Sequence, residues 1–300
     1  MNLLSRLKYA PFVTQLVVTR CCNLSCAYCN EFDSNAQAID VDTLKARAQK
    51  LKKLGAFSIT LTGGEPLTHP SIFELIKYCR HTLKFLRTTM ISNGYLLTPA
   101  IIQQLNECGL QDLQISIDGV HANDTTKKSL ASLKKKLDEL KQHARFNVIV
   151  SAVIGACPSD ESLSVAQYAK KIGFRPRVLL IHNHNGQIQL NKEQAHVYQR
   201  IKKLTPRHLY ELSDYRERLI TKGEAPFKCR AGSRYLYVDE QGLVRWCSQQ
   251  RDLFERDLLD YTPEDLKREF YSYKKCHAKC TLGCVRSASF FDAWRRQFHN

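Results

Sequence analysis

The 300-residue sequence lacks the features that would mark a membrane-spanning, secreted or disordered chain. No apolar run approaches the roughly 20 residues that a membrane-spanning helix needs. The opening residues contain no uninterrupted apolar stretch followed by a small-residue cleavage site, so we expect no signal peptide and a cytoplasmic location. No repeat or low-complexity segment stands out, and 25% charged with 43% hydrophobic residues is typical of a globular chain.

Acidic residues are scarce relative to basic ones. The chain has 29 Asp and Glu against 45 Lys and Arg, which gives a formal net charge of +16. This excess permits an acidic partner, such as nucleic acid, without selecting one. Residues 267–300 mix basic and aromatic side chains, as nucleic-acid-binding surfaces do, but no recognised RNA or DNA module accompanies them. A predicted lysine-rich helix is interpreted as a solvated outer face and carries Lys127, Lys128, Lys134, Lys135, Lys136 and Lys141.

Residues 13 to about 181 alternate short β-rich runs with amphipathic runs of helix length. Such alternation predicts an α/β fold of parallel strands joined by right-handed crossovers, in which each strand's carboxyl end offers a loop for chemistry. Periodicity alone does not distinguish a closed barrel from an open one. The predicted strands are 13–20, 57–63, 85–92, 113–118, 146–154 and 175–182. The predicted helices are 41–54, 70–83, 98–108, 124–143 and 159–172.

After about residue 185 the pattern changes. Residues 191–222 are predicted to be helical and exposed, and Tyr235 to Cys247 is typical of a hairpin with Gly242 at its turn. Further helices are predicted over 263–271 and from Ala288 to Phe298. The predicted organisation is a core over 1–185, a helical connector over 186–225 and a small α+β unit over 226–300.

The chain has twelve cysteines, and in a reducing compartment clustered thiols more often bind metal or react than form disulfides. One group, Cys22, Cys26 and Cys29, directly follows the first predicted strand. Three thiolates on one short loop can bind three irons of a cubane cluster and leave the fourth iron open to a ligand. A zinc site short of one ligand is the alternative, although zinc sites normally pair cysteines as CxxC.

A second group of five cysteines surrounds the predicted hairpin and follows the next helix. Five thiols suffice for one fully ligated cluster with one to spare, and a structural zinc site would suit them equally well. Cys79 and Cys108 lie near the ends of helix patterns and are predicted to be small core residues. The five members of the second group are Cys229, Cys247, Cys276, Cys280 and Cys284.

Short polar or glycine-containing segments end the strands that follow the first cysteine group. After the second strand, Gly63 and Gly64 let the backbone pass close to a ligand, and Glu65 can accept hydrogen bonds from an ammonium group. Each of these segments is also an ordinary strand-to-loop turn. The segments that end the next three strands are Ser92-Asn93-Gly94, Ser116-Ile117-Asp118-Gly119 and Ile154-Gly155.

The spacing Cys-x3-Cys-x2-Cys after the first strand, with Tyr28 before the third cysteine, resembles the signature of the radical S-adenosylmethionine (SAM) superfamily. The resemblance implies a partial parallel (β/α)6 barrel and a [4Fe-4S] cluster on Cys22, Cys26 and Cys29. It implies reductive cleavage of SAM to a 5′-deoxyadenosyl radical that abstracts a substrate hydrogen, with flavodoxin or ferredoxin as reductant. The SAM contacts it implies are Tyr28, Gly63, Gly64, Glu65, Asn93, Ser116, Asp118 and Ile154.

The pattern of Cys229, Gly242 and Cys247 resembles the SPASM/twitch extensions of that superfamily, which hold an auxiliary iron–sulfur cluster. The resemblance implies a second cluster, expected to be [4Fe-4S], with these two cysteines as its firmest ligands. The later x3/x3 spacing departs from the usual pattern, so the two remaining ligands among Cys276, Cys280 and Cys284 stay undecided.

The sequence therefore predicts a radical SAM enzyme that modifies a peptide or a small molecule. The alternative is a non-catalytic cysteine-rich zinc protein that binds an anionic partner such as RNA. His182 and His184 leave the last predicted strand at its carboxyl end and, with His196, are candidates for a metal or substrate role, although exposed histidines are usually polar surface.

Overall fold

A single nine-stranded sheet organises the protein. The computed structural model describes residues 8–29, 31–33, 35–181, 190–204 and 215–297. The strands run in the order β6-β5-β4-β3-β2-β1-β7-β8-β9, and the first six are parallel. The sheet is open, with β6 at one end, so over the described chain it forms a partial barrel. The strands are β1 (Val13–Thr19), β2 (Ser58–Gly63), β3 (Arg87–Ser92), β4 (Asp112–Ile117), β5 (Asn147–Ile154), β6 (Arg175–Leu180), β7 (Tyr235–Val238), β8 (Leu243–Arg245) and β9 (Arg256–Asp257).

The crossover helices pack their apolar stripes against the parallel strands. Leucines at helical spacing, such as Leu133, Leu137 and Leu140, are at most 1% exposed and share one core with Ile59 and Leu61 of β2. The predicted α/β fold is thereby confirmed. No helix in the described ranges is long and apolar enough to cross a membrane. The helices are α1 (Val41–Lys53), α2 (Ile72–Lys77), α3 (Pro99–Glu107), α4 (Leu130–His143), α5 (Ser159–Lys171), α6 (Lys192–Leu204), α7 (Tyr215–Lys222), α8 (Pro263–Tyr271) and α9 (Gly283–Phe290).

The predicted start of α4 at residue 124 was wrong. The helix begins at Leu130, because Ser129 is its N-cap and the Ser129 hydroxyl accepts a hydrogen bond from the next turn. Upstream, the Asn123 side chain accepts from the backbone N–H groups of Thr125 and Thr126, which holds the segment as a loop. Lys128 therefore lies in this loop rather than on an outer helix face.

The C-terminal boundaries also differ from the prediction. The closing helix α9 spans Gly283–Phe290 and gives way to turns at residues 291–294, earlier than predicted. The predicted hairpin is present as β7 and β8, which pair antiparallel and are extended by β9.

The C-terminal residues continue the barrel's own sheet. Strand β7 pairs in parallel with β1, with Tyr235 opposite Val13. Next to this pairing, the Arg234 guanidinium meets the Asp292 carboxylate at 2.6 Å, and both side chains are nearly buried. Arg234 also donates to the carbonyl oxygen of Ala10 at 2.7 Å. One buried ion pair thus fastens the final turns to the segment that enters β1.

Replacing Asp292 by alanine is expected to destabilise the fold by about 3–5 kcal/mol, because it leaves the buried charge of Arg234 without its partner. Urea unfolding measures the change. Glu217→Ala is the control, since its pair with Lys202 is 37–41% exposed and should be worth about 0–1 kcal/mol. Equal losses in the two variants would contradict the assigned role of the buried pair.

Candidate functional site

The first cysteine group lies on the loop that leaves the carboxyl end of β1. Two backbone hydrogen bonds shape this loop, from Ala27 N–H to the Thr125 carbonyl and from Cys29 N–H to the Cys26 carbonyl, both 3.0 Å. Cys26 is 8% exposed, whereas Cys22 is half-buried and Cys29 is exposed. The three thiols at this end of the sheet therefore differ in solvent exposure, from the buried Cys26 to the exposed Cys29.

A cavity of about 140 Å³ brings the predicted site residues together. Its lining includes the three thiols and residues from the carboxyl ends of β2, β3 and β4, as the topology of parallel strands requires. The predicted residues that line it are Cys22, Cys26, Cys29, Gly63, Gly64, Asn93 and Ser116. We call it the cysteine cavity.

Gly63 and Gly64 are required because two backbone segments touch there. A Cβ on Gly63 would stand 2.0 Å from the carbonyl oxygen of Thr19, and one on Gly64 would stand 2.3 Å from that of Cys21. The φ of Gly63 is +140°, which also favours glycine. The Gly64 N–H donates to the Thr19 carbonyl at 2.8 Å. The cysteine loop thus starts in direct contact with the end of β2.

Glu65 is fully buried and lies outside the cavity lining. Its carboxylate accepts from the Leu67 N–H at 3.0 Å, the Ser92 hydroxyl at 2.9 Å and the Asn93 N–H at 2.6 Å. Burial raises the pKa of Glu65, and these donors lower it. The side chain joins the end of β2 to the end of β3 and so positions Asn93.

Asn93 reaches the cysteine loop directly. Its side-chain amide donates to the Asn23 side chain at 2.8 Å and lies 3.6 Å from the Cys22 sulfur. An amide donor next to a thiolate stabilises the charged form of the sulfur. Burial, in contrast, raises the pKa of Cys22.

The buried Asp118 and the more exposed Tyr28 form a hydrogen-bonded network beside the cavity. The Tyr28 hydroxyl donates to the Asp118 carboxylate at 2.6 Å, and the Thr126 hydroxyl donates to the same oxygen at 2.5 Å. Lys128 lies 3.6 Å from that oxygen and over the Tyr28 ring. Burial raises the pKa of Tyr28 well above its ordinary value. The other oxygen of Asp118 is buried without a hydrogen-bond partner in the described chain.

Ile154 belongs to the hydrophobic core, where it is fully buried, and does not line the cysteine cavity. His182 and His184 lie outside the described residues. His196 is exposed on α6. Cys79 and Cys108 are core residues, as predicted.

The second cysteine group divides into four thiols and one. Burial raises the pKa of Cys229, Cys247, Cys276 and Cys280, for Cys247 to about 12. Neighbouring thiols add to the rise: Cys276 acts on Cys229, Cys247 and Cys280. These four thiols, which we call the C-terminal thiol group, therefore lie close to one another.

A buried lysine and a cavity lie next to the C-terminal thiol group. Lys274 is fully buried, and its ammonium lowers the pKa of Cys229 and Cys276. A cavity of about 290 Å³ lies beside the group and is lined by Cys247, Cys276 and Cys280. A buried cation next to thiols is the setting that stabilises bound thiolates.

Cys284 lies apart. Burial raises its pKa, while Arg177 of β6 and the Tyr235 hydroxyl lower it, so its strongest electrostatic neighbours are not thiols. In the described residues, no three Cys, His, Asp or Glu side chains form a group suited to one metal ion.

The chemistry of the donors fits iron–sulfur clusters. The cysteine cavity offers three thiols and no fourth among its lining residues, which leaves one coordination position for a ligand. The C-terminal thiol group offers four, which close a cluster completely. Cys22, Cys26 and Cys29 would hold the first, and the four thiols the second.

The sequence analysis did not identify Lys128 and Glu31 as site residues. Lys128 lines the cysteine cavity, and the signals that locate it are the turn-forming Asn123 and the cap residue Ser129. Glu31 also lines the cavity and accepts from the Tyr237 hydroxyl of β7 at 2.7 Å. Its partner is some two hundred residues away in sequence, so no local signal predicts the contact.

The Gly64→Ala substitution is expected to displace the cysteine loop. Its Cβ would meet the main-chain oxygens of Cys21 and Arg20, which cannot rotate away. We expect a lowered unfolding temperature and loss of iron binding after anaerobic reconstitution. Gly173→Ala is the control, because its Cβ meets nothing within 4 Å although its φ of +90° costs about 1–2 kcal/mol. Full iron content in Gly64→Ala would rule out the close approach as a requirement.

Sequence and structure comparisons relate this chain to known proteins. A family model described as the radical SAM superfamily matches residues 16–200. An AdoMet-dependent heme synthase of Methanosarcina barkeri is 30% identical over 171 residues, 55% of this chain and 48% of that protein. The chain spans about half the length, or less, of the first curated relatives it matches. Other relatives are GTP 3′,8-cyclases and PqqA peptide cyclases.

Two solved structures share the fold. Streptococcus suis SuiB bound to precursor peptide SuiA has a TM-score of 0.67 at 14% identity, with 92% of this chain and 70% of that chain covered. Native anSMEcpe with bound AdoMet has a TM-score of 0.61 at 16% identity, with 91% and 89% covered. At these identities the likeness shows the fold alone. Because the family model matches more than half of the sequence and includes the cysteine loop, the chain belongs to the radical SAM superfamily.

Proposed function

We propose that this protein binds a [4Fe-4S] cluster and SAM in the cysteine cavity and modifies a peptide or a small molecule by radical chemistry. The observation that carries the proposal is the convergence of three thiols with Gly63, Asn93 and Ser116 on one cavity. When bound, the reduced cluster supplies one electron to SAM, whose carbon–sulfur bond breaks to give methionine and a 5′-deoxyadenosyl radical that takes a substrate hydrogen.

Residues of the chain would orient the cysteine loop and bind SAM. Asn93, held by Glu65, places its amide against Cys22 and fixes that end of the loop. The backbone at Gly63 and Gly64 passes the cavity without side chains, so its carbonyl groups can accept from the ammonium of SAM. Lys128 brings a positive charge to the same cavity and suits the SAM carboxylate.

Tyr28 and Asp118 act from beside the cavity. Because the Asp118 carboxylate already accepts from Tyr28 and Thr126, we assign it the positioning of the cysteine loop and of Tyr28 rather than a first contact with SAM. Its second oxygen is buried without a partner in the described chain, so contact with a ribose hydroxyl would require the side chain to turn toward the cavity. Ile154, which is buried in the core, would act on the adenine side only through its backbone.

We further propose that the C-terminal thiol group binds an auxiliary [4Fe-4S] cluster and that residues 226–300 form a twitch-like unit after a connector over 186–225. Cys229, Cys247, Cys276 and Cys280 are the mutually interacting thiols, and the buried Lys274 offsets their negative charge. Four thiols would also suit a zinc ion, and the iron content of the reconstituted protein distinguishes the two.

The proposed substrate is a peptide or a small molecule. The relatives act, by their descriptions, on haem precursors, GTP and a peptide, and SuiB binds a precursor peptide. The reductant would be a flavodoxin or ferredoxin, and twelve free thiols suit a reducing cytoplasm. Superfamily membership weighs against the alternative of a non-catalytic zinc protein that binds RNA.

Cys26→Ala is expected to abolish reductive SAM cleavage, because a cluster with two protein thiolates is not held. Release of 5′-deoxyadenosine from SAM with dithionite, after anaerobic reconstitution, measures the effect. Cys21→Ala is the matched control, since Cys21 precedes the group and does not line the cavity. Continued SAM cleavage by Cys26→Ala, or no SAM cleavage by the wild type, would contradict the proposal.

Cys280→Ala is expected to lose about four irons per chain, those of one cubane cluster. Cys284→Ala should keep them, because Cys284 stands beside Arg177 and Tyr235. Iron content and the absorbance near 400 nm check both variants. The reverse result, iron lost with Cys284 and kept with Cys280, would show that the ligand set is wrong.

A further inference from the structure

A larger cavity, of about 550 Å³, lies between α9 and the strands β1 to β6. We call it the barrel cavity. Alternating residues of the strands line it, and Ile91 of β3 lines both this cavity and the cysteine cavity. A molecule in the barrel cavity would therefore lie next to the place where the radical is proposed to form.

The lining of the barrel cavity is strongly basic. Its only carboxylate among the described residues belongs to Asp112, which is held by Arg87 through two hydrogen bonds, the longer at 2.6 Å. Three further arginines line the cavity, namely Arg175, Arg177 and Arg216.

Two of these arginines come from β6. They alternate along the strand with the buried Pro176 and Val178, so they share the cavity face. Arg177 donates to the side-chain oxygen of Gln114 at 2.9 Å, a neutral acceptor. The Nε of Arg175 is buried with no hydrogen-bond partner in the described chain. Neither guanidinium charge is offset by an ion pair with a described residue.

The third arginine approaches from α7 and meets Arg177 over α9. A Cβ placed on Gly283 would stand 2.7 Å from an amino nitrogen of Arg216 and 3.5 Å from one of Arg177. The two guanidinium tips thus flank the same point of backbone. An anion placed between the tips would offset the charge of Arg177, which has no ion pair with a described residue.

We propose that the barrel cavity binds an anionic group of the substrate, a carboxylate or a phosphate, through Arg177 and Arg216 with Arg175 beside them. Guanidinium forks match the paired oxygens of both groups. The inference rests on the proposed function, because it takes the barrel cavity to be where the substrate meets the radical. It narrows the substrate class to molecules or peptides that present such a group inside the barrel.

Isothermal titration of the reconstituted full chain tests the proposal, with inorganic phosphate and malonate as separate probes. Arg177→Gln is expected to weaken binding of the preferred probe about tenfold or more, the worth of one charge-assisted hydrogen bond. Lys134→Gln is the matched control: it removes the same charge from an exposed position on α4 and should change binding by less than about twofold.

Arg177→Lys guards against a folding defect in the Gln variant, because it keeps the charge and loses only the fork, so an intermediate weakening is expected. Tighter phosphate binding indicates a phosphorylated substrate, and tighter malonate binding indicates a carboxylate. No measurable binding to the wild type, or equal weakening by Arg177→Gln and Lys134→Gln, overturns the proposal. Cleavage of SAM by the wild type, measured in the same preparation, reports on the proposed function separately.

Discussion

The contact between the end of β1 and the end of β2 is the constraint on which the first site depends. Thr19 and Cys21 accept backbone hydrogen bonds from Gly64 and Glu65, and only residues without a Cβ fit between these chains. This contact sets where the cysteine loop begins. It also leaves Glu65 pointing inward, where it binds the end of β3 and holds Asn93 against Cys22. Three strand ends are thus joined, β1 to β2 by main-chain hydrogen bonds and β2 to β3 by the Glu65 side chain.

The sequence predicted the parts of the fold that follow from local pattern. Alternating strand and helix periodicity located all six parallel strands to within about two residues, because each amphipathic stripe reports the face that it buries. The start of α4 was misplaced because a run of lysines and leucines continues the helical pattern, whereas Asn123 and Ser129 end it through side-chain hydrogen bonds. Turn chemistry outweighed periodicity there.

Long-range relations account for what the sequence could not provide. The strand ends predicted from the sequence lie at the cavity. The sequence did not show which of their residues line the cavity and which, such as Glu65 and Asp118, form hydrogen bonds outside the lining. Spacing likewise could not show that Cys284 has Tyr235 and Arg177 as its strongest electrostatic neighbours, since these residues lie on β7 and β6, far from it in sequence. The four arginines that line the barrel cavity come from three elements, β3, β6 and α7, and so form no single cluster in the sequence.

The parallel pairing of β1 with β7 bears on how the chain is made. Strand β1 leaves the ribosome well before one of its two neighbours, because β1 begins at Val13 and β7 only at Tyr235. At about 5–20 residues per second, that neighbour follows on the order of ten seconds or more later. During this interval one edge of the strand that carries the cysteine loop has no native partner, and an open edge invites pairing with other chains. A chaperone that covers this edge would therefore act while the chain is still being synthesised.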